Sequence, residues 1–175
     1  MIKYYFTKID TPLGSMFSCS SDLGVCLLEF PERKKIDSQF QSLHKYFKCD
    51  FEDNETPILV NLKNELSEYF AGKRQIFTVP LHFVGTDFQK KVWHELVRIP
   101  FGKTVSYKEL AEKTGNVHAV RAVANANAFN KISIIVPCHR VIGSDGSLTG
   151  YASGLQKKRW LIDHEKNNYE AALFS

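Results

Sequence analysis

Long apolar runs are missing from this sequence, and no segment approaches the roughly 20 residues that a membrane-spanning helix needs. The opening residues are too polar, and their apolar part too short, for a secretory signal peptide. Paired cysteine spacing is missing as well: none of the four cysteines stands in a Cys-x-x-Cys pair, so the spacing predicts no metal site. We therefore expect a protein with no membrane partner. It should work in the cytoplasm, or in the nucleus of a eukaryotic source, where thiols stay reduced.

Repeats and low-complexity tracts are also absent, which argues against a repeat array and against a disordered tail. The net charge of +4 is compatible with nucleic-acid binding, but a mixed-charge surface would give the same value. The 175 residues, 43% of them hydrophobic, suffice for one domain or for two small ones, each with a core. Composition alone thus leaves the function open.

The first half of the chain, residues 1–84, is predicted to form a small α/β domain. Turn signals at residues 11–14 and 21–24 separate segments rich in aromatic and β-branched residues. Strands are predicted at residues 3–9, 15–20, 25–30 and 75–79, and helices at residues 36–47 and 58–70. Nothing in this half suggests chemistry, so we expect it to have a structural role.

The second half, residues 85–175, is predicted to be mainly α-helical. Two capping boxes, at residues 86–89 and 106–109, each predict the start of a helix, and the second helix should run through Lys113. The first of these helices shows one apolar face, formed by Phe88, Val92, Trp93, Leu96 and Val97.

A helix-turn-helix-like segment follows in this half. Gly115 should end the short helix, and Asn116 can cap another helix over residues 117–129. From this outline alone an ordinary helical pair is the simpler interpretation. The third helix is unusual, however, because Arg121 projects among alanines that leave almost no side-chain bulk. These alanines are Ala119, Ala122, Ala124, Ala126 and Ala128.

Three reactive side chains follow an apolar run further along the chain. Four of the five residues 132–136 are β-branched and apolar, which predicts a buried strand, and Pro137 should end it because proline cannot donate to a sheet. Cys138, His139 and Arg140 come next. A free cysteine is often only a small buried hydrophobe, but an imidazole and a guanidinium group beside a core strand require partners.

Glu165 is the expected partner of His139. It shares a helical face with Leu161 and Ile162, so it becomes a buried carboxylate if that face packs inward. A buried carboxylate needs a charged or hydrogen-bonding partner. The resulting set of thiol, imidazole and carboxylate is typical of an activated cysteine nucleophile.

The segment Pro137–Val141 resembles the active-site motif of the O6-alkylguanine-DNA alkyltransferases, which are single-use DNA repair proteins. The resemblance is strong over residues 86–166 and weaker toward the N-terminus. Four residues outside the motif match the family pattern as well: Tyr107, Arg121, Asn130 and Glu165.

The resemblance implies an enzyme that moves a methyl or other alkyl group from O6-alkylguanine in double-stranded DNA to Cys138, once and irreversibly. His139, linked to Glu165, would accept the thiol proton. Tyr107 would donate a proton to the guanine ring at N3, and Asn130 would brace the backbone near the cysteine. No cofactor is implied, and we expect a monomer in solution.

The resemblance also implies how the DNA is held. The helix of small residues would enter the minor groove, where Ala119, Ala122 and Ala124 permit a close approach. Arg121 would fill the space of the nucleotide that leaves the base stack, since chemistry on a base in a duplex requires its extrusion.

The family pattern further predicts the substrate pocket. The Val141 carbonyl group would lie near the exocyclic amine of guanine, and the Ala152 amide near O6. Tyr151 and Trp93 would complete the pocket. Ser153 departs from the family pattern, which has glycine at this position, so we expect a bulkier pocket rim here.

Some family members carry an N-terminal zinc site, but Ser21 and Cys26 stand here where ligands would be needed. We therefore expect no zinc. Two other functions remain open at this stage. A cysteine hydrolase would use the same three groups and turn over an ester or amide, whereas a damage sensor would bind the lesion without transfer.

Overall fold

The computed structural model describes residues 3–31, 51–53 and 55–174, and for residues 51–53 it describes only the backbone. The chain divides into two compact units, Met1–Phe83 and Val84–Ser175. Among the described residues, no helix combines the length and the apolar character that crossing a bilayer would demand.

The first unit is built on a four-stranded sheet with the order β3-β2-β1-β4. The strands are β1 (Tyr4–Thr11), β2 (Gly14–Ser21), β3 (Gly24–Glu29) and β4 (Phe51–Asp53), and helix α1 spans Pro57–Phe70. β1 pairs antiparallel with β2 and parallel with β4. The first three predicted strands and the second predicted helix are thus present, whereas the helix predicted at residues 36–47 lies outside the described residues.

The strand predicted at residues 75–79 is wrong, because its backbone bonds to a side chain. The buried carboxylate of Glu65 accepts hydrogen bonds from the backbone amides of Thr78 at 2.9 Å and Val79 at 3.4 Å. Pairing begins only after this segment, where Leu81 forms a parallel bridge with Val25. A charged side chain thus takes the amides that a neighbouring strand would otherwise bind.

The second unit is mainly helical. In chain order it contains α2 (Asp87–Val97), β5 (Val105–Ser106), α3 (Tyr107–Lys113), α4 (Val120–Ala128), a 3-10 turn (Cys138–Arg140), β6 (Val141–Ile142) and α5 (Leu155–Leu173). β5 and β6 pair in parallel. This pairing places the start of α3 next to the chain that leaves the Cys138–Arg140 turn.

Both predicted capping boxes are confirmed. Thr86 and Gln89 exchange hydrogen bonds between side chain and backbone at 2.9 and 3.2 Å, and Ser106 and Glu109 do so at 2.6 and 3.1 Å. The apolar face predicted for α2 is narrower than expected, since its two end members are exposed: Phe88 and Val97.

Helix α4 starts later than predicted. The Asn116 side chain accepts a hydrogen bond from the His118 amide at 3.0 Å, and the Asn116 carbonyl accepts one from the Ala119 amide at 3.0 Å. These bonds form a separate turn, so the helix begins at Val120 and not at Val117. The two helices of the expected pair, α3 and α4, are nevertheless consecutive.

Candidate active site

The strand predicted at residues 132–136 is wrong, because this segment forms a buried turn. Ile134 has a φ of 72°, a left-handed conformation that is rare for a β-branched residue. The amides of Ile135 and Val136 bond back to the carbonyls of Ser133 and Ile132, at 2.9 and 3.0 Å. The apolar run therefore reflects burial in the core and not pairing in a sheet.

Asn130 supplies the hydrogen bonds that hold this turn. Its Nδ2 atom donates to the Val136 carbonyl at 2.8 Å, and its Oδ1 atom accepts from the Ile132 amide at 2.9 Å. The side chain is buried, so these bonds are shielded from water. The expected position of Asn130 beside the backbone near the cysteine is thus the position that the structure gives it.

Cys138 lies directly after this turn, at the first position of the 3-10 turn Cys138–Arg140, and its residue is 6% exposed. Its amide donates to the Val136 carbonyl at 2.8 Å. Successive side chains of a strand would point to opposite sides of the sheet. Because the chain turns at Cys138, that restriction on Cys138 and His139 does not apply.

Glu165 joins His139 and Arg140 in one buried cluster. His139 Nε2 lies 2.6 Å from Glu165 Oε1, and Arg140 donates to Oε2 through Nε at 2.7 Å and to Oε1 through Nη2 at 3.0 Å. Arg140 also donates to the Ile99 carbonyl at 2.6 Å. The Gly102 amide donates to Oε2 of Glu165 at 3.3 Å. The pair of Glu165 and His139 was predicted from the sequence, but the bidentate contact of Glu165 with Arg140 was not.

The protonation of this cluster follows from burial and charge. Burial alone would raise the pKa of Glu165, but the charges and hydrogen bonds of His139 and Arg140 outweigh it and hold that pKa well below its usual value. Burial lowers the pKa of His139, with Arg140 and Lys158 adding to the shift, against the opposing effect of Glu165. The lowered pKa favours the neutral form of His139, and in that form Nε2–H donates to Glu165, because a carboxylate can only accept.

The second ring nitrogen of His139 is available as an acceptor. Nδ1 is buried and has no hydrogen-bond partner among the described residues. In a neutral imidazole whose Nε2 carries the hydrogen, Nδ1 holds a lone pair. His139 can thus take a proton at Nδ1 while Glu165 stabilises the cation that results.

Tyr107 opens α3 and reaches the loop that precedes α5. Its hydroxyl donates to the Thr149 carbonyl at 3.2 Å, and burial raises the pKa of this hydroxyl, against the effect of that hydrogen bond. The pairing of β5 with β6 brings the start of α3, where Tyr107 lies, beside the chain that leaves the Cys138–Arg140 turn. Gly150 has a φ of 58°, and a Cβ atom there would lie 3.2 Å from the hydroxyl of Tyr107. The loop therefore passes close to the tyrosine because it has glycine at this point.

Lys158 is a site residue that sequence analysis missed. It is completely buried in α5, and its Nζ atom donates to the carbonyls of Val141 at 2.5 Å and Thr149 at 2.6 Å. Burial lowers the pKa of Lys158 to about 8, while Cys138 acts in the opposite direction. In the sequence Lys158 follows another lysine in a polar stretch, which is typical of a solvated helix face, and no local pattern distinguishes it.

Helix α4 carries the residues expected to contact DNA. Its outward face is formed by side chains that share exposure to solvent: Arg121, Ala122, Asn125 and Ala128. Ala119 and Ala124 are half-buried at the edges of this face. Trp93 lies on the opposite side, buried against α4, where its Nε1 atom donates to the Ala126 carbonyl at 2.9 Å. The structure thus places Trp93, which was expected to complete the substrate pocket, against the inner side of α4.

The residues expected at the pocket rim lie between Thr149 and α5. Tyr151 and Ser153 are half-buried, and Ala152 is exposed. The Gly154 amide donates to the Tyr151 carbonyl at 3.0 Å, and Gly154 has a φ of 95°. The rim is therefore a tight turn that leads directly into α5. Lys158 of that helix contacts both Val141 and Thr149.

The described part of the chain contains no group of three or more His, Cys, Asp or Glu side chains that could hold a metal ion. Ser21, at an expected ligand position, shares a hydrogen bond of 2.8 Å with His82 Nδ1. Cys26 is buried, and its thiol donates to the Cys19 carbonyl at 3.4 Å.

Comparison with known proteins places both units in one family. Residues 4–83 match the ribonuclease-like domain of 6-O-methylguanine DNA methyltransferase, and residues 87–167 match the DNA-binding domain of the same family. A methylated-DNA–protein-cysteine methyltransferase of Methanosarcina barkeri is 42% identical over 94% of this chain and 98% of its own length. The constitutive enzyme of Bacillus subtilis is 41% identical over 95% of this chain and 98% of its own length.

Solved structures agree with these sequence matches. O6-methylguanine methyltransferase of Mycobacterium tuberculosis gives a TM-score of 0.81, with 37% identity over 100% of both chains. The Mycobacterium tuberculosis protein OGT in complex with DNA gives a TM-score of 0.79, with 37% identity over 95% of this chain and 94% of that chain.

Proposed function

Because this chain belongs to the 6-O-methylguanine DNA methyltransferase family, we propose that it repairs DNA by transferring an alkyl group from guanine O6 to Cys138. The reaction consumes one protein molecule per lesion, because a thioether is stable and nothing in the site would reverse the transfer. One observation carries the assignment of the acceptor: Cys138 is followed by a buried His139 that is bonded to Glu165 and whose Nδ1 atom has no partner among the described residues.

The proposed reaction is a displacement at the alkyl carbon. The Cys138 thiol gives its proton to His139 Nδ1, directly or through a water molecule, because the thiolate and not the thiol is the nucleophile. A sulfur–carbon bond then forms as the bond between the alkyl carbon and O6 breaks, and the electron pair moves into the guanine ring. Tyr107 donates a proton to ring N3, so the products are S-alkylcysteine and guanine. The tyrosine regains its proton, so that overall the thiol proton ends on guanine.

Access to the lesion requires that the nucleotide leave the duplex, at a cost of a few kcal/mol. We assign this step to α4, whose exposed face combines Arg121 with small side chains. Small residues let the helix approach the floor of the minor groove, and Arg121 can occupy the space that the base vacates. Cys138, His139 and Glu165 all lie outside the unit Met1–Phe83. We propose that this unit has a structural role. The protein should act as a monomer in a compartment where thiols stay reduced.

The direct test is to incubate the protein with duplex DNA that carries labelled O6-methylguanine and to measure the mass of the intact protein. We expect one added methyl group per molecule, mapped to Cys138 by peptide mass analysis. The variant Cys138→Ala should gain no methyl and still bind DNA, since binding depends on α4. Alanine variants of Cys19, Cys26 and Cys49 serve as controls and should all be methylated.

The other outcomes point elsewhere. A methyl group on Cys19, Cys26 or Cys49 would overturn the assignment of the acceptor. Binding of the lesion without any added mass would indicate a damage sensor. Repeated turnover of a model ester, without a residue left on the protein, would indicate a cysteine hydrolase.

A further inference from the structure

Lys158 has a completely buried side chain, although lysine is almost never fully buried unless it has a partner. Its two acceptors, the carbonyls of Val141 and Thr149, belong to segments separated by the exposed turn at residues 143–147. Both hydrogen bonds are short, as expected when the donor carries a charge. Lys158 thus links the chain that leaves the Cys138–Arg140 turn to the loop that precedes α5.

We propose that Lys158 is a positioning residue for the transfer reaction, which holds the Val141 and Thr149 carbonyls in place and keeps a positive charge close to Cys138. The proposal rests on the function proposed above. Lys158 is not among the residues that the family resemblance implies for the reaction, which are Cys138, His139, Glu165 and Tyr107.

The first reason is that Tyr107 must give up its hydrogen bond to Thr149 before it can donate a proton to the base. The Thr149 carbonyl accepts hydrogen bonds from Tyr107 at 3.2 Å and from Lys158 at 2.6 Å. A carbonyl oxygen has two lone pairs, so both bonds can exist together. To donate to the base, the Tyr107 hydroxyl must leave Thr149. The bond from Lys158 then keeps the loop in place while the proton donor is in use.

The second reason concerns the base itself. We expect the Val141 carbonyl to accept a hydrogen bond from the exocyclic amine of guanine. Lys158 occupies one lone pair of this oxygen and leaves the other for the base. Since Val141 is buried and its oxygen is held by a charged donor, the acceptor is fixed before the substrate arrives.

The third reason is electrostatic. Lys158 Nζ donates at 2.5 Å to the carbonyl of Val141, the residue directly after the 3-10 turn Cys138–Arg140, and the ammonium group lies 5.8 Å from the centre of the Tyr107 ring. A positive charge near Cys138 favours the thiolate over the thiol. The same charge disfavours protonation of His139, which keeps Nδ1 ready to accept.

The test compares Lys158→Met with Lys166→Met, which removes an exposed lysine from the same helix. The first measurement is the pH profile for alkylation of Cys138 by iodoacetamide, read by peptide mass analysis. The second is the rate of methyl transfer from duplex DNA. For Lys158→Met we expect the alkylation midpoint to rise by about one pH unit and transfer to slow about tenfold. Lys166→Met should match the wild type.

A merely structural lysine would not move the midpoint in a folded protein, so an unchanged midpoint or an unchanged transfer rate overturns the proposal. If Lys158→Met shows no cooperative thermal unfolding, Lys158→Gln replaces it in both measurements. If the proposed function is wrong but the role of Lys158 is right, the wild type takes up no methyl group, and the alkylation midpoint still responds to the change at Lys158.

A reciprocal measurement leaves Lys158 in place. The titration of its ε-amino group can be followed by nitrogen NMR in the wild type and in Cys138→Ala. Coupled groups shift each other's titration. We expect the pKa of Lys158 to be lower in Cys138→Ala, because the negative charge that favours the ammonium form is gone. Equal values in the two proteins would overturn the electrostatic part of the proposal.

Discussion

At the scale of single residues, Glu165 has two roles that a sequence motif would treat as one. It bonds to His139, the proton acceptor that we propose, and it neutralises the buried guanidinium group of Arg140. A buried ion pair contributes little when it is compared with an apolar pair, but removing one partner leaves an uncompensated charge. Any variant of Glu165 therefore changes stability as well as catalysis.

We predict that Glu165→Gln slows methyl transfer and lowers the free energy of unfolding by about 3 kcal/mol, because Arg140 keeps its charge in a buried position. Urea denaturation at pH 7 measures the second effect. The matched control is Glu170→Gln, an exposed position of the same helix, which should unfold like the wild type. A stability loss equal to that of the control would mean that Arg140 reaches another acceptor.

At the scale of elements, the DNA contact that we propose for α4 depends on the lack of bulky side chains on its outward face. Its outward face carries Arg121 and small or short side chains. We predict that Arg121→Ala reduces repair of duplex DNA much more than reaction with free O6-benzylguanine, which requires no base extrusion. The rates on the two substrates measure this difference. Arg159→Ala, at an exposed position of α5, is the control. Equal losses on both substrates would show that Arg121 supports the fold.

The rim turn before α5 leads to a second prediction at this scale. Ser153 adds a Cβ atom and a hydroxyl group to a segment where the backbone is expected to approach the base. We predict slow inactivation by O6-benzylguanine together with efficient repair of methylated DNA, because a methyl group needs less space. Ser153→Gly should raise the rate of inactivation relative to the rate on methylated DNA. If the normalised rates of the two proteins match, Ser153 points away from the pocket.

The elements also show how far local sequence determines structure. The capping boxes at Thr86 and Ser106 were predictable because every partner lies within three residues. The strand predicted at residues 132–136 failed because the Asn130 side chain holds that backbone in a turn. A β-branched apolar run indicates burial, and periodicity cannot reveal whether a strand or a side chain satisfies the amides.

In the candidate site, too, some contacts could be predicted from the sequence and others could not. The pair of His139 and Glu165 could be predicted because a buried charge requires a partner, and Cys138 was indicated by the motif that contains it. The bidentate contact with Arg140 and the burial of Lys158 depend on contacts between segments distant in sequence. A lysine in a polar stretch gives no local sign that tertiary structure will enclose it, so only the fold identifies it.

At the scale of the whole molecule, the buried cluster sets the response of stability to pH. The pKa of Glu165 is lower in the folded protein than its unfolded value of about 4.3, so its contribution is present above that value and lost as pH falls. The pKa of His139 is also lowered, from an unfolded value of about 6.5. The unfolded chain therefore takes up the histidine proton first, which again disfavours folding in acid.

We predict that the urea midpoint of the wild type falls as pH is lowered from 7 to 3, with a first decline below about 6.5 from His139 and a further one below about 4.3 from Glu165. Denaturation curves at intervals of half a pH unit measure this trend. In His139→Gln the first decline should be weaker. A midpoint that stays constant or rises toward acid would contradict the assigned protonation states.

The contacts of Glu165 also affect how the unit Val84–Ser175 opens. The carboxylate, which belongs to α5, accepts hydrogen bonds from Gly102 and Arg140, and Arg140 also donates to the Ile99 carbonyl. Three segments far apart in sequence meet here: the chain at residues 99–102, the Cys138–Arg140 turn and α5. None of them can separate without exposing an unpaired buried charge, so they should open as one cooperative unit. In hydrogen exchange, the protected amides of Arg140 and Glu165 should then share one opening free energy. The segment that carries Cys138 would thus lose its protection in a single transition, and not through fraying of its own loop.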